Sequence, residues 1–285
     1  MHRAVLMTVT AVVLVVTGCT GLFQTEEQKD QDAIRGLIDR DSVWFSAGTE
    51  VDSAGTGGSC CDGDTWFVWW RGEQTHPDGN LVVEVTGDSA WVEWSWRNVG
   101  AIYTMAKPPD TTWLLWTKRV LETAAVRAVF RRDNGPATSA DRGWRLGSVS
   151  LATGVSDSGN TVRIDSVRVQ STSNPDLLIV DPLNTFYDVT DLVAFSPGEI
   201  VTVTLYTNAE EARAFLHTFV LQWPFYVRAE FQHEGGGVFR GVWPAQVVPF
   251  PRFALFDLMH RNTIQREVWD YDYSGWLFPY QISEP

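Results

Sequence analysis

Cysteine is scarce: three in 285 residues, at positions 19, 60 and 61. A chain this long can therefore carry no disulfide framework of the kind that staples small secreted domains. Positive charge is also short, with 22 Lys and Arg against 35 Asp and Glu, a formal charge of −13. An acidic surface of that size repels phosphate backbones, so nucleic acid is excluded as a partner. No apolar run is long enough to span a bilayer, which takes about 20 residues. The uncharged stretch Ala4–Thr17, behind the single cation Arg3, is instead the pattern of a secretory signal. Catalytic signatures are missing too: there is no G-x-S-x-G elbow, no G-x-x-x-x-G-K-[ST] loop and no H-E-x-x-H helix. His76, His217, His233 and His260 lack paired ligand spacing, so no zinc site and no cofactor is expected.

The end of the leader, Val16-Thr17-Gly18-Cys19, resembles the bacterial lipobox. That resemblance implies cleavage after Gly18 and a diacylglyceryl group on the sulfur of Cys19. Lipid there replaces a spanning helix, because two or more acyl chains hold a protein on a membrane where one does not. The expected location is the cell envelope: the outer membrane in a Gram-negative cell, otherwise the outer face of the cell membrane. In that oxidising compartment Cys60 and Cys61 remain. They are read as a pair without a role, a strained vicinal or intermolecular disulfide, or a metal or redox pair.

Residues 19–29 are polar and charged, the composition of a tether. Ile34, Leu37, Ile38, Asp41, Trp44 and Phe45 then follow the three-and-four spacing of one helical face, with Asp41 its only polar member. Residues 46–65 are rich in glycine, serine and acid and read as a loop. After the aromatic cluster Trp66–Trp70, the segments LVVEV and AWVEWSW alternate around Thr86-Gly87-Asp88-Ser89 as a β-hairpin. Val92, Trp94 and Trp96 share its buried face. TWLLWTKRVLETAAVRAVFRRD and RGWRLGSVSLA read as two more long strands, although LETAAVRAVF carries helix formers. The turn-rich segment 153–160 is the expected domain boundary. Beyond it, short strands at regular spacing argue a β-sandwich, with a bulge near Asp165-Ser166.

On the helix IRGLIDRDSVWF, the WWRG stretch, the hairpin and the closing pair AAVRAVFRRD and RGWRLGSVSLA, residues 30–152 resemble the nuclear-transport-factor-2-like superfamily, whose ketosteroid-isomerase-like cone wraps a bent sheet around a leading helix. Residues 161–285, with SPGEIVTVTLYTN and YDYSGWLFPYQI, resemble immunoglobulin-like domains of bacterial surface lipoproteins. The implied fold is an α+β cone followed by an all-β immunoglobulin-like sandwich. Catalytic cones move a proton with a carboxylate beside a tyrosine or second acid, and Asp41 would take that role with Tyr103 or Arg127 nearby. The favoured reading of Asp41 is the ion-pair partner of an arginine such as Arg71 or Arg127, or a solvated residue at the edge of the stripe.

Fourteen tryptophans supply platforms for flat ligands or anchors for interfaces. Trp69, Trp70, Arg71, Trp91, Tyr103 and Arg127 are the candidate binding residues. Asp62-Gly63-Asp64 and Asp270-Tyr271-Asp272 offer oxygen ligands but match no calcium loop, and read as solvated turns. The whole favours a membrane-anchored binding module for an envelope protein or polymer. The alternative is a cone-pocket isomerase, dehydratase or hydrolase using Asp41.

Overall fold

The computed structural model describes residues 24–45, 59–77, 79–133, 140–219, 226–245 and 252–283. The leader and Cys19 lie outside the described residues. Helix α1 (Glu26–Arg40) begins within the stretch read as a tether. A capping box starts it: the Thr25 hydroxyl accepts from the Gln28 N–H at 3.2 Å while the Gln28 side chain accepts from the Thr25 N–H at 3.0 Å. Glu26 and Glu27 in the first turn suit the positive end of the helix dipole. Ala33, Ile34, Leu37 and Ile38 are its buried face. Asp30 is buried beside them and paired with Arg132 and Arg142.

The chain then forms β1 (Ser59–Asp62), β2 (Thr65–Arg71), β3 (Gly79–Thr86), β4 (Ser89–Lys107), β5 (Leu114–Arg132), β6 (Trp144–Ser150) and β7 (Ala152–Ser156). β4 and β5, 19 residues each, pair without a break from Ser89↔Arg131 to Ala106↔Leu114. Gly87, at φ 60°, takes the first central position of the tight turn between β3 and β4, where a left-handed backbone favours glycine. The helix formers in LETAAVRAVF are strand, because all of them pair with β4 on one side, while Glu122–Ala125 pair with β7 and Ala128–Phe130 with β6 on the other. Tertiary pairing outweighs an intrinsic preference of a few tenths of a kcal/mol per residue. Along both long strands, even-numbered residues face the inside of the curled sheet and odd-numbered ones the outside.

Each long strand changes neighbours midway. β4 pairs with β3 through its first half and with β2 through its last. β5 pairs first with β7, then with β6. The inner face divides accordingly. α1 covers Val83, Val92, Trp96, Val126 and Phe130 at one end, whereas Phe67, Trp69, Ile102 and Val120 at the other end meet residues from the last third of the chain.

Those later residues form β8 (Ile164–Gln170), β9 (Leu177–Ile179), β10 (Phe186–Asp188), β11 (Ala194–Phe195), β12 (Ile200–Thr207), β13 (Ala212–Phe219), β14 (Tyr226–Glu230), β15 (Gln232–Gly235), β16 (Val238–Pro244), β17 (Arg252–His260), the short helix α2 (Arg261–Gln265) and β18 (Tyr273–Ile282). Five of the strands make a second sheet in the order β15-β16-β12-β8-β9. Its Val167, Val203, Leu205 and Phe239 belong to one core with Phe256, Phe278 and Tyr280 of the first sheet. The expected bulge is present: Tyr206 stands opposite Ser166 and Thr207 opposite Ile164, leaving Asp165 extra.

The cone followed by an immunoglobulin-like sandwich is not what forms. The molecule is mostly β, with one curled, half-barrel sheet and a second sheet. The curled sheet runs through both halves of the sequence, because β7 pairs with β18 and β6 with β10. Thr153-Gly154-Val155-Ser156, read as the start of a turn-rich linker, is strand instead. Gly154 is there for packing: it stands opposite Gly275, and the Tyr273 ring lies over both. A Cβ at Gly275 would fall 1.8 Å from the Tyr273 hydroxyl. Among the described residues no helix is long and apolar enough to cross a membrane.

Candidate functional site

The outer face of β4 and β5 carries the first candidate site. Cross-strand rows place Trp70 beside Tyr103 and Thr117, Val68 beside Met105 and Leu115, and Trp66 beside Lys107. Trp70 and Tyr103 stack with centroids 5.3 Å apart and planes at 15°. Gly72 makes room for that stack, since a Cβ there would meet the Tyr103 ring at 2.8 Å. Beyond it, Trp66, Trp113 and Leu115 are at least half exposed, and the Lys107 ammonium sits 5.9 Å from the centre of the Trp113 ring. This is an aromatic surface at one end of the hairpin.

Toward the other end of the same face stands Trp91, half exposed, with the edge of Phe186 against it at 5.2 Å and 81°. Arg127 donates to Glu93 at 2.8 Å and to Asn184 at 2.8 Å, which fixes its guanidinium beside the indole. Val82, Glu84, Trp91, Glu93 and Arg127 line a cleft of about 270 Å³. Between the two aromatic surfaces lies a shallower polar hollow of about 430 Å³, walled by Pro77, Asn80, Ser95, Arg97 and Thr123. Asp157 ties its floor together, accepting from Arg97 at 2.7 Å and Thr123 at 2.6 Å. Trp91 and Tyr103 are twelve positions apart, so the track spans roughly 40 Å at about 3.3 Å per residue.

The inner face holds the second candidate, a buried polar belt between the two apolar ends. Arg71 makes a bidentate pair with Asp257, at 2.6 and 3.1 Å, and donates from Nε to the Tyr271 hydroxyl at 3.0 Å. His217 Nε2 lies 2.8 Å from the same carboxylate. Tyr271 donates to Glu122 at 2.5 Å, and Asn98 donates to the other Glu122 oxygen at 3.2 Å. Arg71, Asp257, His217, Glu122 and Asn98 are all buried. Two guanidinium groups approach the Trp69 ring, that of Arg228 at 3.5 Å and that of Arg71 at 5.5 Å from its centre.

Burial pushes the Glu122 carboxyl above the ordinary glutamate range, and the Arg71 charge with the Tyr271 and Asn98 bonds offsets only part of that. Burial works the same way on Asp257. There the Arg71 charge and the His217 bond prevail, and its carboxyl stays below the ordinary range. Burial lowers Lys118 to about 8. Its ammonium donates to the carbonyls of Asn262 at 3.1 Å and Thr263 at 2.6 Å, and also to that of Arg266, closing the end of α2. The cavity beside Glu122, bordered by Asn98, Thr153, Leu255 and Tyr273, measures about 20 Å³. That is room for about one water molecule.

The six candidate binding residues therefore fall in three places. Trp69 and Arg71 are interior; Trp70 and Tyr103 form the outer stack; Trp91 and Arg127 form the cleft. Asp41 terminates α1, its N–H donating to the Leu37 carbonyl at 2.8 Å. The arginines named as its partners are engaged elsewhere, Arg71 with Asp257 and Arg127 with Glu93. Asp272 is no solvated turn: it is fully buried and accepts from the Thr161 N–H at 3.0 Å. Among the described residues no His, Cys, Asp and Glu group is placed to hold a metal ion. Cys60 and Cys61 lie on β1, opposite Phe67 and Trp66.

Glu122 and Asp257 were missed by sequence reasoning, yet each carried a signal. Glu122 shares parity with Val120, Ala124 and Val126, and Asp257 interrupts the apolar run FALFDLM. A carboxylate on a buried parity requires a partner. The chain matches no protein-family model, no curated protein and no solved structure.

Proposed function

We propose that this chain is a lipid-anchored, non-catalytic protein of a bacterial envelope that binds a neutral glycan along the outer face of β4 and β5. The observation that carries the reading is the pairing of two fixed aromatic platforms, Trp70 on Tyr103 and Trp91 on Phe186, on one open face with a polar hollow between them. Sugar rings present apolar C–H faces that rest on indole and phenol rings, while their hydroxyls accept hydrogen bonds from groups such as Arg127 and Arg97 and donate to Glu93. The formal charge of −13 disfavours anionic polymers and leaves uncharged ones. The buried belt supports a binding role over catalysis, because a cavity of about 20 Å³ admits no organic substrate to Glu122. Lipid on Cys19 would hold the protein at the outer membrane of a Gram-negative cell, or on the outer face of the cell membrane otherwise.

The test is co-sedimentation of the purified chain with insoluble cell-wall glycan from the producing bacterium, repeated with Trp70→Ala and Trp91→Ala. Each variant is expected to weaken binding roughly 2- to 10-fold, the worth of one aromatic contact. Binding that neither substitution alters would sink the reading. Mass spectrometry of the membrane-extracted protein tests the anchor: the expected amino terminus is a diacylglyceryl-modified Cys19, and an unmodified Cys19 contradicts it.

A further inference from the structure

The change of neighbours along β4 leaves a gap in the sheet. β3 ends its pairing at Gly79↔Trp96 and β2 begins at Arg71↔Ile102. Between them residues 97–101 of β4 are bordered by the segment 72–77, through the bridge Thr75↔Val99. Asn98 sits in this gap with its side chain buried, in contact with both sides. Inward, its Nδ2 donates to Glu122 at 3.2 Å. Its Oδ1 lies 2.6 Å from Nδ1 of His76, an exposed residue whose chain neighbour Pro77 lines the polar hollow.

The direction of these bonds is set by Arg71, which can only donate. Its Nε donates to the Tyr271 hydroxyl, so that hydroxyl's own proton goes to Glu122. Glu122 thus accepts at this oxygen, and when ionised it accepts at the other from the Asn98 N–H. The amide of Asn98 is then fixed, with its oxygen toward His76. An amide oxygen only accepts, so the His76 nitrogen facing it carries the proton. The other nitrogen, Nε2, has no partner among the described residues.

We propose that His76 is a ligand-contacting residue, held by Asn98 and Glu122 in the Nδ1–H tautomer so that Nε2 accepts a hydrogen bond from a hydroxyl of the sugar unit in the hollow. This rests on the glycan reading above. Asn98 is a positioning residue. Free imidazole in water favours the opposite tautomer, so the buried clamp has a measurable consequence before any ligand is added.

Long-range ¹H–¹⁵N correlation spectra of the full chain read the tautomer, with His76 assigned by its loss in His76→Gln. The expected pattern is Nδ1–H, shifting toward the Nε2–H form of free imidazole in Asn98→Leu. His76→Phe, at an exposed position, is expected to weaken glycan binding roughly 2- to 10-fold, the worth of one hydrogen bond. An Nε2–H pattern in the unaltered chain overturns the inference, and so does a His76→Phe variant that binds as the unaltered chain does while Trp70→Ala and Trp91→Ala bind more weakly. Absence of binding by the unaltered chain overturns the glycan reading itself, and with it the ligand contact, whatever the tautomer.

Discussion

Arg71 joins two acceptors that lie far from it in sequence, Asp257 and Tyr271, and its loss takes a partner from each. In Arg71→Met, Asp257 keeps only the His217 bond among those described above, in an interior where an unpaired charge is expensive. The expected destabilisation is about 3–5 kcal/mol, read from the urea midpoint. Replacing both partners, Arg71→Met with Asp257→Leu, is expected to cost less than the single change; an equal or larger loss would show that the pair contributes more than mutual neutralisation. Glu122 gives the opposite sign of pH dependence from Asp257. Its folded pKa is raised, so its contribution to stability is fully present below the unfolded value of about 4.3 and is lost as pH rises through the folded value. Asp257, whose pKa is lowered, contributes above the unfolded aspartate value and loses that contribution as pH falls through its folded value. Glu122→Gln is therefore expected to flatten the decline of stability above about pH 4.3, with little change at lower pH. Denaturation midpoints measured from pH 4 to 9 check it, and curves that stay parallel across that range would contradict it.

Elements were legible where pattern and environment agree. AWVEWSW alternates because one face of β4 meets α1 and the other meets solvent, and Trp96 is buried as its parity implies. The start of α1 was written in Thr25-x-x-Gln28, but the polar residues around it also suit a tether, and local composition cannot distinguish an exposed helical turn from a loop. The same ambiguity misplaced Asp41. The apolar stripe continues to Trp44 and Phe45, yet the helix ends at Arg40, and the later members reach their contacts from a short 3₁₀ turn. The outer track could not be read from the sequence, since its platforms depend on Phe186 and Gly72 being brought beside Trp91 and Tyr103. Thr25→Ala isolates one legible device. It removes a side-chain cap at an exposed position, so the expected cost is about 1 kcal/mol with no change in glycan binding. Urea melts and co-sedimentation together check this, and a loss of binding would tie α1 to the ligand face.

At the scale of the whole molecule, the pairing of β7 with β18 decides how the chain unfolds. Residues 24–160 contain α1 and the long hairpin, but they leave β7 with an open edge. They also lose Phe215, Met259, Ile264, Tyr271 and Tyr273, half of the buried apolar cluster that contains Trp69, Ile102 and Val120. Arg71 and Glu122 would then face water without Asp257 and Tyr271. The fragment keeps the apolar cluster under α1 but leaves the other end of the same two long strands bare. The full chain is accordingly expected to unfold in one step, with near- and far-ultraviolet circular dichroism changing at the same urea concentration. The 24–160 fragment is expected to show no cooperative transition and to bind hydrophobic dyes. A fragment that melts cooperatively with native-like near-ultraviolet signal would mean that the hairpin and α1 suffice, and that the later strands only dock onto a sheet already formed.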